Sequence, residues 1–425
     1  MDTKPYLPRL IDRKISKYLN AFGAICIEGP KWCGKTRTSL HHSKSSFYVG
    51  SAAGNFSNRQ LALADPSLIL DGDSPRLIDE WQEVPSIWDA VRYEVDKRGE
   101  KGQFILTGSS TPNDKGFFHS GAGRIAILRM RPMSLFEMGL SSGLVSLREL
   151  FTGESKTVLT GDVDLRNIIQ YIIRGGWPGN IDIEFEYAQL LPIEYINAVL
   201  TRDISRMDDK ARDLKKIQLL LRSLARNEST TVTIRALKND IKEVDNEDID
   251  VDTVAKYLNV FERLFLLDNQ PPFSTNIRSS VRVKQAVKRH FCDPSLACAL
   301  LGANQETLLA DLETLGFLFE ALCERDLKIY AEANDAKLYH YQDYQDNEID
   351  AVVEFSDGSW GAFEIKLGAH QLDSAAKKLL QIKSSIEEEP KGRAPKVMGV
   401  ICGLANAAYI RPDGVHVIPI TALRD

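Results

Sequence analysis

The chain has 425 residues, too many for one ordinary hydrophobic core, so roughly two to four domains are expected. A hydrophobic content of 43% with 26% charged residues excludes a disordered chain, and the net charge of −6 excludes indiscriminate wrapping of nucleic acid. Met1–Lys14 lacks the apolar stretch of a signal peptide, and no run of about 18 apolar residues occurs to span a membrane. The expectation is a cytoplasmic protein with no membrane partner.

In chain order, apolar runs at Ala24–Glu28, Phe47–Val49, Arg76–Asp79, Gln103–Leu106 and Ile125–Arg129 read as strands. Helical spacing starts at Gly34 and again over roughly Ile87–Lys97, the alternation of a parallel sheet flanked by helices. From about Pro132 to Met207 the spacing is helical, punctuated by Arg174-Gly-Gly-Trp-Pro-Gly179. Leu214–Ala225 and Val254–Leu267 read as short amphipathic helices, followed by a polar segment, Asn269–Val283, with the character of a β-wing. The last block reads helix, then strands at Lys337–Tyr341, Ile349–Phe355 and Trp360–Lys366, a helix, and strands at Lys396–Cys402 and Val415–Ile418. The domain boundaries follow as 1–135, 136–207, 208–303 and 304–425. Cys26, Cys33, Cys292, Cys298, Cys323 and Cys402 lack metal-site spacing and read as reduced core thiols.

Gly29-Pro30-Lys31-Trp32-Cys33-Gly34-Lys35-Thr36 fits G-x-x-x-x-G-K-[ST] in full, between an apolar strand and a helix. Such a loop turns backbone N–H groups around a phosphate, with Arg37 in the first turn behind it. Lys35 would reach the β- and γ-phosphates of ATP, and the Thr36 hydroxyl would ligate Mg²⁺. Arg76-Leu-Ile-Asp-Glu80 ends a strand in two acids, with Asp79 expected to hold Mg²⁺ and Glu80 to act as general base. Gln103-Phe-Ile-Leu-Thr-Gly-Ser109 ends a buried strand in hydroxyls, so Thr107 is the first candidate for a γ-phosphate sensor and Ser109 the second.

The ordered set Gly29–Thr36, Leu77-Ile-Asp-Glu-Trp-Gln82, Ile105–Ser109, Gly123-Arg-Ile125 and Arg131-Pro-Met-Ser134 resembles a bacterial and archaeal family. These are AAA-type ATPases carrying a C-terminal domain of unknown function 4143. The resemblance implies an additional-strand sheet of order 5-1-4-3-2, ATPase activity, and kinship with signal-transducing and origin-binding ATPases. It also implies a helical lid in which Gly176-Trp-Pro178 contacts the nucleotide base, and a finger arginine at Arg124 or Arg202, in cis or from a neighbouring subunit. A surface ion pair such as Arg202 with Asp203 is the competing reading.

The middle block resembles a winged helix. Arg278, Arg282, Lys284, Lys288 and Arg289 would suit phosphate contacts, although a solvated basic face is the default reading of such a run. In the last block, Asp350 on one strand and Glu364 with Lys366 on the next reproduce the spacing of a PD-(D/E)XK nuclease, a restriction-endonuclease-like α/β fold. Two carboxylates would hold a divalent cation against a phosphate, Glu320 would add a ligand, and Lys377 or Lys378 would meet the backbone. His340 and His370 read as surface residues.

Two leading functions follow, with a third behind them. One is an ATPase coupled to a nucleic-acid-directed nuclease module, DNA first. The other is a nucleotide-dependent switch or scaffold that binds DNA, protein or a second copy of itself without cutting. A transcription regulator working through the basic stretch is a third.

Overall fold

The computed structural model describes residues 5–111, 118–154, 156–204, 213–245, 249–276, 285–343, 347–389 and 392–425. The chain divides into two compact units. The first comprises Met1–Pro132, Arg202–Ala211 and Asn259–Leu266, and the second comprises Met133–Thr201, Arg212–Leu258 and Leu267–Asp425.

The first unit is built on five strands: β1 (Ala24–Glu28), β2 (Ser45–Tyr48), β3 (Arg76–Asp79), β4 (Phe104–Gly108) and β5 (Ile125–Arg129). All pairings are parallel and the order is β2-β3-β4-β1-β5, the additional-strand arrangement expected. Parallel strands covered on both faces need apolar residues at every position, which is why β1 reads Ala-Ile-Cys-Ile without alternation. Side-chain period then sorts them. Ile25 and Ile27 pack with Ile15 of the helix Ile11–Ala21, while Ala24 and Cys26 pack with Val91 and Val95 of the helix Ser86–Arg98. Each isoleucine is fully buried, worth about 1.5–3 kcal/mol.

The second unit holds short strands β6 (Val145–Ser146) and β7 (Val158–Leu159), then β8 (Lys337–Gln342), β9 (Glu348–Glu354), β10 (Trp360–Lys366), β11 (Val397–Cys402), β12 (Ala407–Ile410), β13 (His416–Pro419) and β14 (Leu423–Arg424). Seven form one mixed sheet, β7-β12-β13-β11-β10-β9-β8, and β6 pairs with β14. β8 and β10 run antiparallel to β9, and β11 runs parallel to β10. The helix Leu372–Glu388 covers one face, packing Ala376, Leu379 and Ile386 on Val352, Ala362 and Val400. The segment expected as a separate lid is joined to this sheet by β7 on β12 and to the last residues by β6 on β14.

The middle block has helices Leu214–Arg226, Ile234–Asp245 and Val251–Arg263. Beyond them, Leu267 bridges Phe291 and Gln270 bridges Lys288 antiparallel, and Pro272 bridges His340 on β8. The described part of the expected wing, residues 269–276, therefore pairs irregularly with residues 288–291 and meets β8 at His340. Arg278, Arg282 and Lys284 lie outside the described residues. All six cysteines are buried free thiols. Among the described residues, no helix is long and apolar enough to cross a membrane.

Candidate nucleotide site and a second carboxylate–lysine centre

Parallel strands deliver their C-terminal ends to one edge, and the loops leaving β1, β3 and β4 meet there. Gly29 follows β1 so tightly that a Cβ on it would stand 2.1 Å from the Met130 carbonyl oxygen. Trp32 (φ 64°) and Gly34 (φ 102°) are both left-handed, the backbone alternation that turns successive N–H groups into an anion-binding hollow. Lys35 is buried, and its Nζ donates to the carbonyls of Gly29 (2.9 Å) and Pro30 (2.8 Å). Thr36 and Arg37 follow, both half-buried on the helix Lys35–His41, while Trp32 is exposed and Cys33 is buried.

Asp79 joins the loops. Its Oδ1 accepts from the Thr36 hydroxyl at 2.8 Å and from the Thr107 hydroxyl at 2.7 Å. Thr107 is fully buried and also accepts from the Glu80 backbone N–H at 3.0 Å, so one hydroxyl positions both acids. Burial pushes the Asp79 carboxyl above its ordinary value, with the Thr107 and Thr36 hydrogen bonds opposing it. Glu80 sits at φ 60°, and its Oε2 accepts from the Ser109 hydroxyl (2.8 Å) and from Gln82 Nε2.

Arg9 and Gln82 were not legible as site residues. Arg9 donates to the carbonyls of Cys33 and Arg131, 2.8 Å each, pinning the loop from a distant stretch of chain. Lys31 pairs with Asp203 at 2.5 Å, tying the loop to the chain beside Arg202, which is exposed.

Arg124 does not join this group within the chain. It precedes β5, where its carbonyl accepts from Ala24 N–H at the start of β1, and its side chain pairs with Asp96 at 2.8 Å. That edge is a full strand length from Gly29, about 16 Å at 3.3 Å per residue. A finger in cis is thus ruled out for Arg124.

Pro178 belongs to the second unit, where its turn has packing roles. Trp177 is fully buried with Nε1 donating to Ser295 (2.9 Å), and Gly176 N–H donates to Asp293 (2.9 Å). Asp293 also accepts from Arg325 (2.9 Å), which holds Asp326 at 2.7 Å.

The second unit gathers the other predicted carboxylates. Phe363 pairs with Ala351 across β9 and β10, which sets Asp350 opposite Glu364. Lys366 Nζ lies 2.9 Å from Asp350 Oδ2 and 2.9 Å from Glu364 Oε2, and Lys378 lies 2.9 Å from Glu364 Oε1. Glu364 is fully buried, and neither of its oxygens has an aligned hydrogen bond despite these close ammonium groups. Burial and Asp350 raise the Glu364 carboxyl. Burial alone would raise Asp350 too, but Lys366, Lys288 and Lys378 hold it below its ordinary value.

Lys288 is the main correction to the basic face. It is buried against Glu320 on the helix Leu312–Ala333, with Glu324 3.7 Å away, because the segment paired with Gln270 tucks this residue onto that helix. Arg289 is half-buried, its N–H donating to Thr230. Beyond Lys288 the network continues through His290, paired with Glu324 and with Glu228 at 3.2 Å. Burial pushes Glu320 up to about 8 and Glu324 up to about 7, against the pull of Lys288. His340 is a second correction. It is buried on β8 with Nε2 3.1 Å from the Ala286 carbonyl, and burial lowers it to about 4. The same segment covers it, a tertiary contact that strand periodicity cannot show. Lys377 is exposed.

No three His, Cys, Asp or Glu side chains among the described residues have the geometry of a metal site. Glu320, Asp350 and Glu364 are therefore not assembled as metal ligands in this state; lysine ammonium groups stand between them. At the nucleotide edge the Thr36 hydroxyl and Asp79 carboxylate are adjacent hard oxygens, a donor pair that suits Mg²⁺.

Comparison with known proteins agrees with this geometry. Residues 21–139 match the AAA domain family. Residues 165–307 match a domain of unknown function, DUF8612, and residues 315–423 match another, DUF4143. The uncharacterized proteins Rv2008c of Mycobacterium tuberculosis and Mb2031c of Mycobacterium bovis are each 24% identical over 358 residues, 83% of this chain and 72% of theirs. The solved Walker-type ATPase paby2304 of Pyrococcus abyssi is 12% identical, covering 70% of this chain and 99% of that one at a TM-score of 0.42.

Proposed function

We propose that the first unit binds ATP and hydrolyses it to ADP and phosphate. The observation that carries this is the single Asp79 oxygen shared by Thr36 of the phosphate loop and Thr107 of β4. In this reading the loop Gly29–Thr36 holds the β- and γ-phosphates, with Lys35 leaving the Gly29 and Pro30 carbonyls to meet them. Thr36 and Asp79 would hold Mg²⁺, which supplies charge neutralisation on the phosphate oxygens. Glu80, held by Ser109 and Gln82, takes a proton from water as its oxygen bonds the γ-phosphorus and the bond to the bridging oxygen breaks. Thr107 fixes both acids. Arg202, or Arg124 of a second copy, is the candidate for stabilising the charge that develops.

For the second unit we propose a nucleic-acid-directed module of PD-(D/E)XK type, supported by the Asp350–Glu364 register with Lys366 between them. The alternative is a nucleotide-dependent switch that binds DNA or protein without cutting. Titration of wild type and Lys35→Ala with a fluorescent ATP analogue tests the first proposal. Wild type alone should bind, and equal binding by both would sink it. Incubation with linear and circular DNA plus Mg²⁺ or Mn²⁺, compared with Asp350→Ala, tests the second; equal silence would favour the switch.

A further inference from the structure

The phosphate loop carries two lysines, and they are held differently. Lys35 is buried, with its Nζ on the Gly29 and Pro30 carbonyls. Lys31 is half-buried, and its Nζ donates to Asp203 Oδ1 at 2.5 Å. Only 8% of the Asp203 side chain is exposed, against 42% of the Lys31 side chain. The carboxylate therefore depends on Lys31 for its counter-charge, while the lysine can turn away at small cost because its side chain is already partly in water. Asp203 closes the π-helical turn Val199–Asp203, a rare winding found mostly at functional sites. One peptide bond joins Lys31 to Pro30, whose carbonyl holds the Lys35 ammonium. A phosphate met by Lys35 is thus within the sweep of the flexible four-carbon stem of Lys31.

We propose that Lys31 discriminates ATP from ADP by leaving Asp203 for the γ-phosphate. This rests on the ATP-site reading of the first unit. A terminal phosphate carries more negative charge than a carboxylate and offers three strong acceptor oxygens, so it outcompetes Asp203 for the ammonium. ADP places no phosphate at that position, and Asp203 keeps the lysine. Once Lys31 has moved, Asp203 is a buried carboxylate without its counter-charge and has to turn toward solvent, taking Arg202 beside it. The stretch carrying Arg202 is therefore tied to the loop when the site is empty or holds ADP, and released when it holds ATP. Asp203 is the positioning residue in this exchange: it touches no nucleotide and acts through Lys31.

The test is a double-mutant cycle on the full chain with Mg²⁺ and either ADP or the slowly hydrolysed ATPγS, read by titration calorimetry. The readout is the ratio of ATPγS to ADP affinity, which a general loosening of the loop would not move because it weakens both. Asp203→Asn keeps the shape and removes the competitor, and should raise the ratio about fivefold or more. Lys31→Met keeps the stem and removes the charge, and its ratio should fall below that of wild type and about tenfold or more below that of Asp203→Asn. In the Lys31→Met background, Asp203→Asn should leave the ratio unchanged. A ratio unaltered by Asp203→Asn, or raised by it equally with and without Lys31, overturns the proposal. Should Asp203→Asn fail to fold, the half-exposed Lys31→Met decides: a ratio equal to that of wild type overturns it as well. Binding of neither nucleotide by wild type would sink the ATP-site reading and this discrimination with it, whereas binding of both at an unaltered ratio sinks the discrimination alone.

Discussion

Thr107→Val isolates the group that joins the two acids of the nucleotide site. Valine matches threonine in shape, so the fully buried position stays filled and only the hydroxyl is lost. That hydroxyl donates to Asp79 at 2.7 Å and accepts from Glu80 N–H at 3.0 Å. A hydrogen bond to a charged group is worth about 1.5–3 kcal/mol. Where that stabilisation positions the acids for the reaction, its loss lowers ATP turnover by about 10- to 150-fold. Asp79 also loses a donor that opposes its burial, so its carboxyl rises further and the acid limb of the rate profile moves to higher pH. Thr107→Ser keeps both hydrogen bonds and should hold turnover within a few-fold of wild type. Steady-state phosphate release across pH for the three proteins is the assay. Wild-type rates from Thr107→Val, or a larger loss from Thr107→Ser, would refute the argument.

Two further outcomes concern stability. Arg325→Met leaves Asp293 and Asp326 buried without their guanidinium and should cost about 3–5 kcal/mol in urea unfolding; a change under about 1 kcal/mol would contradict the buried network. His340 has its folded value lowered by burial from 6.5 to about 4, so its stabilising share is present above pH 6.5 and is lost as pH falls toward 4. The loss is about 3 kcal/mol at most. Unfolding midpoints measured from pH 7 to 4 should fall less in His340→Gln than in wild type, and parallel curves would exclude the effect.

The first sheet was readable because its central strands β1 and β4 are buried on both faces, and β3 and β5 are likewise written as apolar runs even though Ile127 of the edge strand β5 is exposed. The phosphate loop and the acids of β3 were readable because their chemistry demands fixed spacing. Thr107 followed from its place at a strand end. Arg9, Gln82 and the Lys31–Asp203 pair did not, since each contributes through a contact set by tertiary folding rather than by periodicity. β12 was missed because Ala407–Ile410 is short and lies against Pro412 and Gly414, which read as loop. The Asp350, Glu364 and Lys366 grouping followed from strand alternation. Lys288 was misplaced because a basic residue in a polar run looks solvated until the acids of the helix Leu312–Ala333 are seen beneath it.

The most direct test of the central claim is ATP turnover by Glu80→Gln, measured beside its ATP affinity. Glutamine keeps the side-chain length and the acceptor for Ser109 but cannot take a proton. ATP binding should be retained, with turnover reduced by about two orders of magnitude or more. Wild-type turnover in this variant would contradict the assignment of Glu80 as the general base.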